Sequence, residues 1–123
     1  MDQAFKQQME DNGADVDTTL KRFMGNEALY MKFIMKFLDD KSFTGITECM
    51  NSGDYEEVFK HAHTLKGVTA NLGLDPITAV ASDISELLRG KSSAEADVEK
   101  LQELYKQLEE VHGRFCGILE ANK

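Results

Sequence analysis

The sequence predicts an all-α protein, an antiparallel four-helix bundle with additional short N-terminal helices. Three observations carry that expectation. Apolar residues recur at spacings of three and four through several long stretches, the period of an amphipathic helix. Glycines and cap-forming residues separate those stretches, leaving connections of only a few residues, which favour antiparallel neighbours. No segment alternates apolar and polar residues as a half-buried strand does. The 123 residues contain one proline, and Ala, Leu, Lys, Glu, Gln and Met, all good helix formers, fill the periodic stretches.

The elements follow in chain order. Residues 2–12 suit a short first helix closed by Gly13. Asp15 or Asp17 can cap a second one running through Leu20, Phe23 and Met24 to Gly25. Asn26 caps the next, where Leu29, Tyr30, Phe33, Ile34, Phe37 and Leu38 share a face. Phe43, Ile46 and Met50 continue the pattern to a stop at Asn51-Ser52-Gly53, and the sequence leaves open whether Asp39–Ser42 kinks or breaks it. Asp54 and Glu57 resemble a capping box opening a helix that ends at Asn71 or Leu72, before Gly73. Asp75 is expected as a cap before Pro76 at the first helical position, with Ile77, Val80, Ile84, Leu87 and Leu88 facing inward. Ser92 and Glu95 form a capping box ahead of the longest helix. Its stripe of Val98, Leu101, Tyr105, Leu108, His112, Phe115 and Leu119, widened by Leu104, Val111 and Ile118, is broad enough to face a bundle. The chain reads as one domain over residues 1–123, with a core bundle at about 26–121.

Charge and cysteine content narrow the function. Twenty-two acidic against 14 basic residues give a net charge of −8, the wrong sign for binding a nucleic-acid backbone. No apolar run approaches the ~20 residues of a membrane span. Cys49 and Cys116 lie far apart and match no metal spacing, so two free thiols in a cytoplasmic protein are expected. The methionines at 24, 31, 35 and 50 read as core filling. No phosphate-binding glycine loop or kinase motif is present, so any phosphoryl group has to come from another protein.

One helix stands apart. Each residue advances about 100° around the axis, so with Val58 at zero, Ala62, Leu65, Thr69 and Leu72 fall within about 40° of it and form the buried stripe. His63 falls at about 140° and Gly67 at about 180°, both facing outward. Glycine in an exposed helix interior costs roughly 0.8–1 kcal/mol relative to alanine, a loss explained if the bare backbone lets another surface approach His63. Lys66 and Lys60 flank the imidazole as a local positive patch suited to attract an acidic pocket, and Lys66 is placed to hydrogen-bond a phosphoryl group on His63. Neutral imidazole, with an ordinary pKa near 6.5, is itself a nucleophile. His61 sits at the edge of the buried stripe and does not share a face with His63, which argues against a paired metal site. His112 lies on an apolar stripe and is expected to be packed.

Ala62-His63-Thr64-Leu65-Lys66-Gly67, followed by Asn71-Leu72-Gly73, resembles the signature of histidine-containing phosphotransfer (HPt) domains. The upstream run from Leu20-Lys21-Arg22-Phe23 to Phe37-Leu38 is also similar, so the likeness spans about residues 14–120. It implies a four-helix bundle in which His63 accepts a phosphoryl group, Lys66 steadies it and Gly67 permits close docking. It further implies that Phe59, Lys60, Ala70 and Asn71 border the docking surface. The partners it implies are response-regulator receiver domains, a hybrid histidine kinase, or both. The resemblance implies no cofactor here, Mg²⁺ being held in the receiver's acidic pocket, and no kinase activity of the chain's own. From Met1 to the end of the last helix the chain resembles a stand-alone, bacterial-type member, expected to be a monomer, although a fragment of a larger kinase would read similarly. A non-catalytic helical module that binds receivers without transfer is the other reading of the same residues.

Overall fold

A computed structural model describes residues 1–123. Seven α-helices and no strand make up the chain: α1 (Gln3–Asp11), α2 (Val16–Arg22), α3 (Glu27–Lys36), α4 (Ser42–Ser52), α5 (Tyr55–Asn71), α6 (Asp75–Leu88) and α7 (Val98–Ala121). Most starts are set by a side-chain cap. Asp2, Asp15, Asn26, Asp54 and Asp97 each accept a hydrogen bond from a backbone N–H of the first turn, satisfying a donor that the helix leaves orphaned.

Side-chain contacts order the long helices. The Thr69 and Thr78 hydroxyls meet at 2.7 Å, while Arg89 lies 5.5 Å from the Phe59 ring, so α5 and α6 run antiparallel. Phe43 stacks on His112 at 4.0 Å, and the Thr47 and Tyr105 hydroxyls meet at 2.7 Å, so α4 and α7 do the same. α4 also packs against α5, and α6 against α7. Twenty-four buried apolar residues form one cluster, including Tyr30, Ile34, Ile46, Leu65, Ile84, Leu108 and Phe115.

The N-terminal helices belong to this core rather than lying outside it. Phe5, Met9, Ala14 and Val16 are buried in the same cluster, extending it ahead of the expected start at residue 26. Lys6 pairs with Asp17 at 2.9 Å, and the Asp15 N–H donates to the Gly73 carbonyl at 2.8 Å, tying α2 to the loop between α5 and α6.

Several boundaries differ from expectation. The chain breaks between α3 and α4: Phe37–Asp39 tighten into a 3₁₀ turn, Asp40 is extended, and its carboxylate accepts from the Ser42 N–H at 2.9 Å. Leu74, not Asp75, is the residue before α6, because the Leu74 carbonyl accepts from the Ile77 and Thr78 amides. The Ser92–Glu95 box closes a separate 3₁₀ turn, Ser93–Glu95, and Asp97 caps α7. Met24 lies beyond the end of α2 with φ +59° and is 93% exposed, so it fills no core. Met31, Met35 and Met50 pack at the edge of the core. Phe33 and Val98, expected to face inward, are 40% and 37% exposed because their helices turn those edges outward.

Candidate functional site

The site is built on α5. Asp54 starts the helix by accepting from the Glu57 N–H, and Val58, Ala62, Leu65, Thr69 and Leu72 are buried, as the 100° spacing requires. Burial of that stripe fixes the helix's rotation and turns His63 and Gly67 to solvent. The His63 ring stacks obliquely on Phe59, with centroids 6.2 Å apart and planes 24° from parallel. A β-carbon at Gly67 would meet nothing within 4 Å, so the surface one turn beyond His63 is unobstructed. Lys66 is half-buried on the same helix, toward α6.

The surrounding charge differs from the expected positive patch. Lys60 is bound to Glu57 at 2.9 Å, which raises the lysine's pKa and leaves it paired rather than free beside the imidazole. The cation missed by the sequence reading comes from α6. Arg89 lies over the face of Phe59 opposite the C-terminal turn of α6, and its Nε and Nη2 donate to Glu86 Oε1 at 3.2 and 2.9 Å. Those bonds, with a smaller contribution from Lys66, hold the Glu86 carboxyl below its ordinary pKa. Only the register of α6 on α5 brings Arg89 and Glu86 here. Nothing in the local sequence around Arg89 signals it.

Of the expected docking residues, Asn71 is exposed, Phe59 and Ala70 are half-buried, and Lys60 is exposed but paired. The Ala70 and Asn71 carbonyls, left open where α5 ends, accept from Arg22 of α2 at 2.7 and 3.2 Å. Beyond them lies an open groove of about 420 Å³ between α5 and the end of α3, lined by Phe33, Phe37, Val68 and Leu72 with Lys36, Asp39, Asp40 and Asn71 at its polar margin. Periodicity placed these aromatics on an inner face and so concealed the groove.

The other reactive side chains are elsewhere and quiet. His61 packs its ring against Gly45 of α4, whose missing side chain makes room for it. His112 is packed between Phe43 and Phe37, and burial lowers its pKa. Burial raises the pKa of both Cys49 and Cys116, suppressing their thiolates. No group of three or more His, Cys, Asp and Glu side chains is arranged to hold a metal.

No helix is long and apolar enough to cross a membrane. Neither a curated protein nor a solved structure matches the chain. A protein-family model does: the Hpt domain model matches residues 1–113, and the chain therefore belongs to the Hpt domain family, the phosphocarrier modules of two-component signalling.

Proposed function

We propose that the chain carries a phosphoryl group on His63 between receiver-domain aspartates, as an intermediate without kinase activity of its own. The observation that carries this reading is the pairing of an exposed mid-helix imidazole with the open backbone at Gly67. A receiver's aspartyl phosphate has to approach along the phosphorus–nitrogen line, and a side chain one turn away would stand in its path. The free lone pair of neutral His63 attacks phosphorus, the P–O bond to the aspartate breaks, and the carboxylate leaves with the electron pair. Return transfer reverses each step. Lys66 offers a charge-assisted bond to the phosphoryl oxygens, and Mg²⁺, where the receiver's acidic pocket holds it, would supply charge neutralisation on the receiver's side.

The partner surface in this reading runs along the exposed face of α5, past Phe59 and Lys60 on one side and Ala70 and Asn71 on the other. The partners are response-regulator receivers, a hybrid histidine kinase, or both, met by a monomer in the cytoplasm. Incubation with a ³²P-labelled receiver tests it. Wild type is expected to gain acid-labile, base-stable label, and His63→Gln none. Equal labelling of the two proteins would remove His63 from the mechanism, while receiver binding without label would mark a docking module instead.

A further inference from the structure

Resting on the carrier reading of His63, a second inference concerns what aims its ring. The last torsion of a histidine side chain is broad and roughly two-fold, so an exposed imidazole holds no direction by itself. Histidines that do chemistry are commonly aimed by a hydrogen bond on the second ring nitrogen. In this stretch of α5 the side-chain hydrogen bonds run from Lys60 to Glu57 and from Thr64 to the Lys60 carbonyl, and neither involves His63. What meets the ring is Phe59, one turn earlier on the same helix face, with centroids 6.2 Å apart and planes 24° from parallel. Phe59 is itself anchored. It packs against the core cluster, and the Arg89 guanidinium of α6 lies 5.5 Å from its ring centroid.

We infer that Phe59 is the positioning residue for His63, a fixed plate that restricts rotation of the imidazole and so holds the direction of its outer lone pair. Nε2 stands farther from the backbone than Nδ1 and is the nitrogen that reaches a partner. Direction matters because transfer is in line: the Nε2–phosphorus bond forms as the P–O bond to the aspartate breaks, and the electron pair leaves with the carboxylate. A plate differs from a hydrogen-bonded orienter in leaving the Nδ1 proton unclaimed. Once Nε2 carries phosphorus, that proton passes to water, and it returns from water on reverse transfer. An aromatic pair at this separation shifts a two-state orientation about two- to tenfold. As a border residue of the docking surface, Phe59 would change how tightly a receiver binds. As a positioning residue it changes how fast a bound receiver reacts.

Two phosphoryl donors, used on the full chain, separate these roles. Phosphoramidate is small and reaches Nε2 from any open side: the lone pair attacks phosphorus, the P–N bond of the reagent breaks, and ammonia leaves with the electron pair. A ³²P-labelled receiver presents its aspartyl phosphate from one side only. Phe59→Leu is expected to lower the maximal rate of single-turnover transfer from the receiver about two- to tenfold. The half-saturating receiver concentration and the rate of phosphoramidate labelling should not change. Phe59→Tyr keeps the ring and should match wild type. ¹³C relaxation at His63 Cε1 should show a restricted ring in wild type and a freer one in Phe59→Leu. A raised half-saturating concentration at an unchanged maximal rate, no change in either, or equal slowing with both donors would overturn the positioning role and leave the carrier reading intact. So would a wild-type ring as mobile as a free histidine side chain, a measurement that stands even if Phe59→Leu does not fold. Failure of wild-type His63 to take label from either donor would overturn both.

Discussion

A β-carbon at position 67 enters open space, so the glycine there answers no packing need within the chain. Gly67→Ala is expected to raise stability by roughly 0.5–1 kcal/mol in urea unfolding, the ordinary helix-propensity gain at an exposed site. Gly67→Arg should also fold, yet slow phosphoryl transfer from a receiver on the order of 10–100-fold by spoiling the attack geometry. Normal transfer by a folded Gly67→Arg would sink the clearance argument. Gly45 behaves oppositely, because a β-carbon there would come within 2.7 Å of the His61 ring. Gly45→Ala is therefore expected to cost about 1–3 kcal/mol as the ring is pushed off α4. An unchanged unfolding midpoint would show that His61 swings away freely. The two glycines look alike in sequence, and only the opposing helix distinguishes them.

At the scale of the element, the caps give the sharpest comparison. The Ser92–Glu95 box has the sequence form of a long-helix start, and the Ser92 N–H does donate to Glu95 at 2.9 Å. It closes a turn of only three residues, and the 24-residue α7 begins later, where Asp97 accepts from the Lys100 N–H at 3.1 Å. Asp97→Ala should cost about 1 kcal/mol of stability. Ser92→Ala should cost less, and the reverse order in thermal unfolding would contradict this assignment of the cap. The loop after α5 shows a second element-level constraint. Gly73 ends the helix at φ +71°, and its missing side chain lets Asp15 and Thr19 of α2 pack on the backbone. The stop at Gly73 is readable in the sequence because glycine favours that conformation, whereas its role in seating α2 is not.

For the whole molecule, stability should respond to pH through His112. Its folded pKa is depressed, chiefly by burial, from the ordinary 6.5. Above that value the imidazole is neutral in both states and adds no pH dependence. As pH falls through it, the unfolded chain binds the proton first and the folded state loses ground, until the folded pKa is passed. Chemical unfolding of wild type and His112→Phe between pH 8 and 5 should therefore show a steeper loss toward acid in wild type. Parallel curves would remove His112 as a contributor.

The sequence by itself determined the helical class, the main helices and the outward direction of His63. Each depends on local terms, namely periodicity, caps and breakers, acting within a few residues. The five residues predicted to form the buried stripe of α5 are all buried, so the wheel that exposed His63 and Gly67 was legible before any fold was known. Tertiary structure decided what surrounds them. The antiparallel register of α6 brings Arg89 and Glu86 to the Phe59 ring, and the end of α3 opens the groove beside Val68 and Leu72. Lys60, adjacent in sequence, is instead taken by Glu57. Such juxtapositions depend on how whole helices pack across the core, which no spacing within one helix encodes. The nucleophile and its clearance were thus written locally, and the charge around them was assembled at a distance.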